Sequence, residues 1–200
     1  MEQNQKSHFF AQLARMPLIG RWALMRNVTD ENIAEHSLQV AMVAHFMALA
    51  ENRLTGSDIN AGEVALAAMY HDAPEVFTGD LPTPVKYQNS DIASAYKNLE
   101  KMAEEKLVNM LPEEFRETYR SIVVAERMDE RTRRIVKDAD TMCAYIKCMS
   151  EIKAGNSEFA AAAEKLREKL DQRSANSPAI KYFEDVFLDS FSKTIDEITF

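Results

Sequence analysis

The sequence contains few glycines and few cysteines, with five Gly and two Cys among its 200 residues. So few glycines disfavour a β architecture with many tight turns, because glycine supplies the backbone conformations that such turns need. Cys143 and Cys148 are five residues apart, which matches neither a CxxC motif nor a disulfide framework. We therefore expect two reduced thiols in the core of a cytoplasmic protein.

Positive charge is also in deficit, since 24 Lys and Arg face 32 Asp and Glu and leave a net charge of −8. A surface of this sign repels a phosphate backbone, so a nucleic-acid polymer is not expected as a partner. A small anionic ligand is not excluded, because a cation or metal inside one pocket can reverse the local field. We see no signal peptide and no segment of transmembrane length, so a membrane is not expected as a partner either.

Helical patterning covers nearly the whole chain. The length suggests one domain with a sizeable core, and the sequence shows no internal repeat, low-complexity tract or linker. We predict an all-α fold, a single compact bundle of about seven or eight helices. The predicted domain spans residues 1–200, with a core over about 7–154 and C-terminal helices over 155–200.

Several predicted helices begin at capping residues. Thr29 is expected to cap one helix, with Asp30 and Glu31 in the first turn, where the helix dipole favours negative charge. Asn60 with Glu63 resembles a capping box for a helix that ends near His71. The other predicted helix starts lie at or near Ser7, Ser90, Pro112, Ser157 and Pro178.

The stretch "YHDAPEVFTGDLPTPVKY", residues 70–87, places a histidine and an aspartate at the end of an apolar helix. An isolated His-Asp pair is weak evidence of a site, so its partners decide the interpretation. His36 lies on a predicted helix with Val40 and Val43 on its own face, which makes it a candidate ligand. His45, nine residues further on, lies about 180° around that helix and is expected at a flank or on the surface.

Asp140 is the candidate fourth ligand, because it borders the buried stripe of its helix. Asp138 lies about 200° away around the helix in more mixed company, so we expect Asp140 to be the one that points inward. A lone carboxylate on an apolar face is costly unless it is paired or binds a metal.

Together, His36, His71, Asp72 and Asp140 offer two imidazoles and two carboxylates. This set suits Mn, Co, Fe or Ni better than a closed structural zinc site, which usually has thiolates, and it leaves positions for water and a substrate oxygen. Spacing alone leaves another interpretation open. His71 and Asp72 could form a polar helix end, and Asp140 could be an exposed salt-bridge partner.

Three segments, "EHSLQVAMVAH", "YHDAPEVFTGDLPTPVK" and "KDADTMCAY", resemble the H…HD…D pattern of the HD-domain metal-dependent phosphohydrolases. "RWALMRN" and "EVFTGDLPTPVKY" are similar to segments of the bacterial 5′-deoxynucleotidases, which release phosphate from deoxyribonucleoside 5′-monophosphates. The resemblance covers nearly the whole chain and is most specific over residues 7–154. It implies one divalent cation, with Mn²⁺ or Co²⁺ favoured and other transition metals possible. It also implies selectivity for deoxyribose and a homodimer.

The resemblance also implies roles for the acidic side chains. Asp72 and Asp140 would bind the metal, contact the substrate with His36, and orient the attacking water. Glu75 would be the general acid or base at the leaving oxygen, although it could instead be a solvated carboxylate in a first helical turn. Pro74 disfavours helix at the preceding residue, so the helix must either kink there or restart.

The substrate side is assigned in the same way. Arg21 would orient the phosphate, and Trp22 would pack on the sugar near its 2′ position. Asp80 would accept a hydrogen bond from the 3′-hydroxyl, beside a stiff wall of Leu81, Pro82 and Thr83. Two purely structural alternatives remain open. Arg21 and Trp22 could form a surface patch with a buried indole, and residues 80–83 could be a rigid loop that binds no ligand.

Two rival functions remain open at this level. One is an HD-type triphosphohydrolase acting on deoxynucleoside triphosphates, which the scarcity of added Arg and Lys between the motifs disfavours. The other is a non-catalytic HD module that binds nucleotide, which the complete set of four ligands disfavours.

Overall fold

Apolar residues spaced three or four apart produce several long helices, and short helices connect them. The computed structural model describes residues 6–199. The α-helices within that range are α1 (Phe9–Leu13), α2 (Ile33–Thr55), α3 (Ala61–Tyr70), α4 (Glu75–Thr78), α5 (Thr83–Lys86), α6 (Ser90–Asn109), α7 (Glu113–Val123), α8 (Glu130–Lys153), α9 (Ala160–Ser174), α10 (Pro178–Phe187) and α11 (Ile195–Thr199). Short 3₁₀ helices lie at Met16–Leu18, Ala125–Arg127, Ser157–Phe159 and Leu188–Ser192.

The predicted all-α fold is confirmed. Each predicted helix has a counterpart, and α4, α5 and α11 are additional helices of four or five residues. One turn of helix is too short for an apolar period to emerge in the sequence, which is why these three were not predicted.

The predicted cap at Thr29 is wrong. The second helix begins after Asn32, whose side-chain oxygen accepts from the backbone N–H groups of Ala34 and Glu35, both at 3.0 Å. Glu35 completes the capping box by accepting from the Asn32 backbone N–H at 3.3 Å. Asn32 with Glu35 supplies both halves of this motif, so it prevails over a threonine three residues earlier.

Several other predicted helix starts are correct or shifted by one residue, whereas the helix predicted from about Ser157 begins as the 3₁₀ helix Ser157–Phe159 and continues as α9 only from Ala160. Asn60 caps α3 as expected, accepting from the backbone N–H groups of Gly62 and Glu63. Asn89, one residue before the predicted Ser90, caps α6 and accepts from the Ile92 N–H at 2.8 Å. Shifts of this size are ordinary for helix ends.

The main core lies between α2, α3, α8 and α10. Its fully buried side chains include Val40, Met47, Val64, Ile135, Met142, Leu170 and Ile180. The last two belong to α9 and α10, so the C-terminal helices share the core of the preceding part. These contacts support our proposal that residues 1–200 form one domain.

A second apolar cluster packs α1, α6 and α7 against the other side of the His-Asp turn. It includes Phe9, Ile33, Leu107 and Val123, all at most 2% exposed, and the small Ala73 of the turn itself. The turn is thus held from two sides, which fixes the direction in which its polar side chains point.

Helix α2 has the length and the mean hydropathy, 1.2, of a membrane-spanning segment, contrary to the expectation that no segment does. Half of that apolar window is buried inside the protein, and the helix also buries His36 and Glu51. These are the properties of a core helix.

The two cysteines are free and buried, as expected for core thiols. Burial raises the pKa of Cys148 to about 12 and that of Cys143 further still. Neither thiol is therefore disposed to form a reactive thiolate at neutral pH.

Candidate metal centre and active site

Three of the predicted ligands, His36, His71 and Asp72, have ligand atoms that converge on one point, and Asp140 joins this group through its contact with His36 without being within the same mutual distance of all three. His36 comes from α2, His71 and Asp72 from the turn after α3, and Asp140 from α8. The Nε2 atom of His36 lies 3.0 Å from Asp140 Oδ1 and 3.8 Å from Asp72 Oδ2, and His71 Nε2 lies 3.2 Å from Asp72 Oδ1. Ligand atoms of His36, His71 and Asp72 all lie within 4.8 Å of one another. His45 is exposed on α2, away from this group.

Proline 74 shapes the turn that presents His71 and Asp72. Helix α3 ends at Tyr70, and α4 begins at Glu75 with Pro74 in the preceding cap position. Of the two possibilities that the sequence left open, the structure shows a restart of the helix. The Glu75 N–H donates to the Asp72 carbonyl at 3.0 Å, which ties the new helix to the ligand turn.

One hydrogen bond orients the His71 ring. Its Nδ1 atom lies 2.7 Å from the Ala68 carbonyl oxygen, which can only accept, so Nδ1 carries a hydrogen. Its Nε2 atom lies 3.2 Å from Asp72 Oδ1 and, although buried, has no hydrogen-bond partner among the described residues. Metal-binding histidines are typically oriented by such a carbonyl, with the other ring nitrogen directed at the cation.

The spacing of the ligand atoms also fits a cation. Metal-ligand bonds of roughly 2.0–2.2 Å place neighbouring ligand atoms about 3 to 3.5 Å apart. The separations of 3.0 and 3.2 Å at His36–Asp140 and His71–Asp72 lie in that range. The residues of this site are therefore able to hold a divalent cation.

His36 is fully buried, with one ring nitrogen toward Asp140 and the other toward Glu31. Burial by itself would lower the pKa of His36, but the carboxylates of Asp140 and Glu31 outweigh burial and raise it to about 9. Burial would likewise raise the pKa of Asp140, but Lys137 and His36 hold it well below its usual value. A cation that binds Nε2 has to replace the proton at that atom.

The prediction that only Asp140 points inward is wrong, because Asp138 is buried as well. The Asp138 side chain is 1% exposed, against 18% for Asp140. It accepts from Arg173 at 2.7 Å and from Arg134 at 3.4 Å. Helix α8 is buried on more than one side because α9 packs against it, so Asp138 is an inward ion-pair residue remote from His36.

Arg21 and Trp22 lie in the segment 20–32, which we call the substrate loop. Arg21 donates from Nη1 to Asp72 Oδ2 and from Nε to Glu31 Oε2, both at 3.1 Å. The Trp22 indole N–H donates to the same Glu31 oxygen at 2.9 Å. The Trp22 ring also lies 5.3 Å from the Phe159 ring, measured between centroids. The Arg-Trp pair is therefore part of the site and not a separate surface patch.

The substrate loop is closed at its base and held at its far end. The Arg21 N–H donates to the Glu31 carbonyl at 2.9 Å, and Gly20 and Asn32 form a backbone bridge. Glu151 of α8 accepts from the N–H groups of Val28 and Thr29 at 2.8 and 3.1 Å. The loop is thus fastened to the helix that carries Asp140.

Glu75 is partly buried, and its Oε2 atom is buried without a hydrogen-bond partner among the described residues. Burial, with the nearby charges of Asp72 and Asp80, raises the pKa of Glu75 to about 9. A proton is thereby retained on a carboxyl beside the ligand turn. Glu75 is not a solvated carboxylate.

The segment from Asp80 to Thr83 follows α4. Gly79 has φ 70°, which favours glycine, and lets the chain turn back toward Arg21. Asp80 lies close enough to Asp72 and Arg21 for both charges to affect its pKa, which burial raises. Leu81 and Pro82 are half-buried, and Thr83 is exposed at the start of α5.

Two site residues escaped the sequence interpretation. Glu31 was interpreted as a first-turn residue of a helix, and no local pattern distinguishes its actual place in the site. Lys137 donates to Asp140 Oδ2 at 2.7 Å from one turn earlier on α8. Its spacing in "KDAD" is a visible indication, because residues three apart share a helix face.

An all-α bundle in which one helix gives a histidine, a helix end gives His-Asp and a third helix gives an aspartate defines the class of HD-domain phosphohydrolases. An HD-domain phosphohydrolase from Listeria innocua has this fold, with a TM-score of 0.80, 22% identity, and coverage of 92% of this chain and 88% of that one. The HD phosphohydrolase DatZ of cyanophage S-2L, whose structure is bound to dA and one catalytic Zn²⁺ ion, also has this fold. Its TM-score is 0.64 at 18% identity, and the match covers 90% of this chain and 96% of that one.

The chain belongs to the 5′-deoxynucleotidase YfbR-like family, whose profile matches residues 8–191. It is similar to a curated 5′-deoxynucleotidase of Vibrio vulnificus (strain YJ016), with 54% identity over 195 residues, 98% of this chain and 100% of that protein. The resemblance inferred from the motifs is confirmed.

Proposed function

We propose that the protein is a metal-dependent 5′-deoxynucleotidase, which hydrolyses deoxyribonucleoside 5′-monophosphates to the deoxyribonucleoside and inorganic phosphate. The observation that carries this proposal is the buried Nε2 of His71 facing Asp72, with the Arg21 guanidinium on the other side of the same carboxylate. A cation site thus adjoins an anion-binding group, as a phosphate monoester requires. Family membership and 54% identity over nearly the whole chain support the same activity.

In this proposal His36, His71, Asp72 and Asp140 hold one divalent cation. When bound, it offsets phosphate charge and acidifies a water molecule for attack on phosphorus. Two imidazoles and two carboxylates suit Mn²⁺, Co²⁺, Fe²⁺ or Ni²⁺, and the family resemblance favours Mn²⁺ or Co²⁺ among these ions. The Zn²⁺ ion of the cyanophage neighbour makes zinc a necessary comparison. Asp72 and Asp140 would also orient the attacking water.

Arg21 orients the phosphate in this scheme. Its Nε and Nη1 atoms are committed to Glu31 and Asp72, and its Nη2 makes no hydrogen bond within residues 6–199. The guanidinium plane is therefore fixed, with the N–H groups of Nη2 available for a phosphate oxygen. A planar, permanently charged donor group is well suited to that task.

Glu75 acts as the general acid. The leaving 5′-oxygen needs a proton as its bond to phosphorus breaks, and a carboxyl group that keeps its proton at neutral pH can supply one. The buried position of its Oε2 beside the ligand turn supports this role.

Sugar selection is assigned to the two sides of the site. Trp22 would pack on the deoxyribose and leave no room for a 2′-hydroxyl, while Asp80 would accept from the 3′-hydroxyl. Leu81, Pro82 and Thr83 would form the wall that contacts the sugar and base. The backbone of Pro82, at φ −55° and ψ 133°, is extended, so this wall is preset by the ring.

Phosphate release from dAMP, AMP and dATP tests the function. Purified protein with added Mn²⁺, Co²⁺ or Zn²⁺ is expected to release phosphate from dAMP, and EDTA is expected to stop the reaction. Equal activity on AMP would remove the selectivity for deoxyribose. Release of tripolyphosphate from dATP with dAMP left intact would identify a triphosphohydrolase instead.

Glu75→Gln is expected to lower kcat for dAMP by about 10²-fold, which is within the usual contribution of a general acid. The amide keeps the shape of the side chain and cannot donate a proton to an oxyanion as an acid does. Mn²⁺ affinity, measured by calorimetry, should stay within about threefold of wild type because Glu75 is not a ligand. The exposed first-turn Glu113→Gln is the matched control and should retain full activity. A wild-type kcat in Glu75→Gln would remove the proposed acid.

We further propose a cytoplasmic homodimer that acts on free nucleotides and binds neither nucleic-acid polymers nor membranes. The net charge of −8 supports the exclusion of polyanions. Sedimentation equilibrium tests the dimer.

A further inference from the structure

Glu31 is a buried carboxylate that contacts three different parts of the site. Its side chain is 8% exposed. One oxygen, Oε2, accepts from Arg21 Nε at 3.1 Å and from the Trp22 indole N–H at 2.9 Å. The other oxygen, Oε1, lies 3.8 Å from His36 Nδ1. That separation is longer than a hydrogen bond, and His36 Nδ1 is buried without another partner among the described residues.

Donors and cationic groups surround this buried carboxylate. Burial would raise the pKa of Glu31, but His36, Arg21 and the Trp22 indole N–H together lower it. A buried carboxylate persists in a fold only when donors surround it in this way. Each of its neighbours here also has an assigned role in the proposed reaction.

We propose that Glu31 is a positioning residue that holds Arg21, Trp22 and His36 in one arrangement, so that phosphate orientation, sugar selection and metal binding depend on a single carboxylate. The substrate part of this proposal rests on the proposed 5′-deoxynucleotidase function. The parts that concern Trp22 and the metal do not need a substrate.

Removal of Glu31 is expected to affect Arg21 because the guanidinium is held by two hydrogen bonds, one at Nε and one at Nη1. Glu31 holds Nε and Asp72 holds Nη1, so rotation of the guanidinium about its stem would break one of these bonds. Removing Glu31 frees that rotation. A phosphate oxygen would then meet a mobile donor, and misplacement by about 1 Å can cost roughly 10²-fold in rate.

The effect on Trp22 involves its backbone. Trp22 has φ 57°, a left-handed conformation that is uncommon for a bulky residue and has to be maintained by its surroundings. The indole bond to Glu31 and the contact with Phe159 are such restraints. Without Glu31 the indole would lose its orientation over the proposed sugar position.

The effect on His36 concerns the hydrogen on Nδ1. A neutral imidazole that gives Nε2 to a cation keeps its hydrogen on Nδ1, and Glu31 Oε1 is the acceptor that faces it. A carboxylate that accepts this hydrogen raises ligand basicity, and its removal typically costs about 10- to 100-fold in metal affinity. Because Glu31 Oε1 lies 3.8 Å away, we expect the lower end of that range.

Glu31→Gln and Glu31→Asp test the proposal, with Asp30→Asn as the control for loss of a neighbouring exposed charge. Trp22 is the only tryptophan of the chain, so intrinsic fluorescence of the protein with neither metal nor nucleotide reports on that indole alone. Mn²⁺ affinity by calorimetry and kcat and KM for dAMP and AMP complete the set. Thermal unfolding verifies that each variant is folded.

For Glu31→Gln we expect a shifted Trp22 emission maximum and Mn²⁺ binding weakened about 10-fold. The ratio of kcat/KM for dAMP over AMP should fall about 10-fold as the indole loses its orientation. Glu31→Asp, which keeps the charge on a shorter stem, should fall between wild type and Glu31→Gln. Asp30→Asn should match wild type in every measurement.

A folded Glu31→Gln protein with wild-type emission, Mn²⁺ affinity and dAMP-to-AMP ratio would overturn the proposal, even if its stability were lowered. If Glu31→Gln does not fold, the same wild-type values in Glu31→Asp would overturn it. If the wild-type protein cleaves no nucleotide while emission and Mn²⁺ affinity change as expected, the proposed function fails and the positioning role stands.

Discussion

The Asp72→Asn variant is expected to lose at least about 10³-fold in the rate of phosphate release from dAMP. Two unit charges 4 Å apart attract each other by about 4 kcal/mol at an effective dielectric constant of 20, and this is the interaction with the cation that the variant loses. An energy of that size corresponds to about 10³-fold in rate. Asp72 lies between His71, His36 and Arg21, so no other carboxylate in the site replaces it. An amide also brings an N–H₂ group that a cation repels. Mn²⁺ binding by calorimetry should weaken together with activity.

Asp138→Asn is the matched control for this experiment. It makes the same chemical change at another buried aspartate of an ion-pair network, beside Arg134 and Arg173. We expect it to lower the midpoint of thermal unfolding while Mn²⁺ affinity stays at the wild-type value. If Asp72→Asn binds Mn²⁺ as tightly as Asp138→Asn does, Asp72 is not a ligand and the proposed metal centre is wrong.

Arg21→Ala is expected to lower kcat by about 10²- to 10³-fold, the usual effect of removing one donor that stabilises charge in the transition state. Metal binding should persist. Arg21 donates to Asp72, and removal of that cation leaves the carboxylate at least as attractive to Mn²⁺. Turnover and Mn²⁺ affinity are therefore expected to separate, which calorimetry and a phosphate assay can show on the same preparation.

Arg26→Ala is the control within the same loop, since the Arg26 side chain is 95% exposed and its guanidinium comes no closer than 3.9 Å to the Glu158 carboxylate. It should keep wild-type turnover. Arg21→Lys adds a second comparison, because lysine restores the charge without the planar fork. Recovery of full turnover by lysine would show that only charge matters, and loss of Mn²⁺ by Arg21→Ala would reassign Arg21 to the structure of the metal centre.

Regular helix geometry made part of the site predictable. His36 and Asp140 could be assigned to inward faces because residues three and four apart share a face on any helix. The same reasoning misjudged Asp138, since burial of a second face of α8 depends on where α9 packs. That packing is a tertiary property with no counterpart in a local period.

The substrate loop shows where sequence reasoning ends. A cap at Thr29 was a reasonable local choice, but Asn32 with Glu35 offered a stronger one. The position of Glu31 then depended on the left-handed backbone at Trp22 and on bonds to Glu151 more than a hundred residues away. Contacts of such separation cannot be read from spacing, and only the family resemblance pointed to Arg21 and Trp22.

The two halves of the proposed chemistry are built on different parts of the chain. The cation ligands belong to α2, α8 and the turn before α4, while Arg21, Trp22 and Glu31 belong to one loop closed on itself by the Gly20–Asn32 bridge. The loop is nevertheless tied to the rest of the site, through Arg21 to Asp72, through Glu31 to His36 and through Glu151 to α8. Diversification of leaving-group preference would therefore be confined to loop positions that make none of these contacts, because exchange of the whole segment would disturb the hydrolytic centre as well.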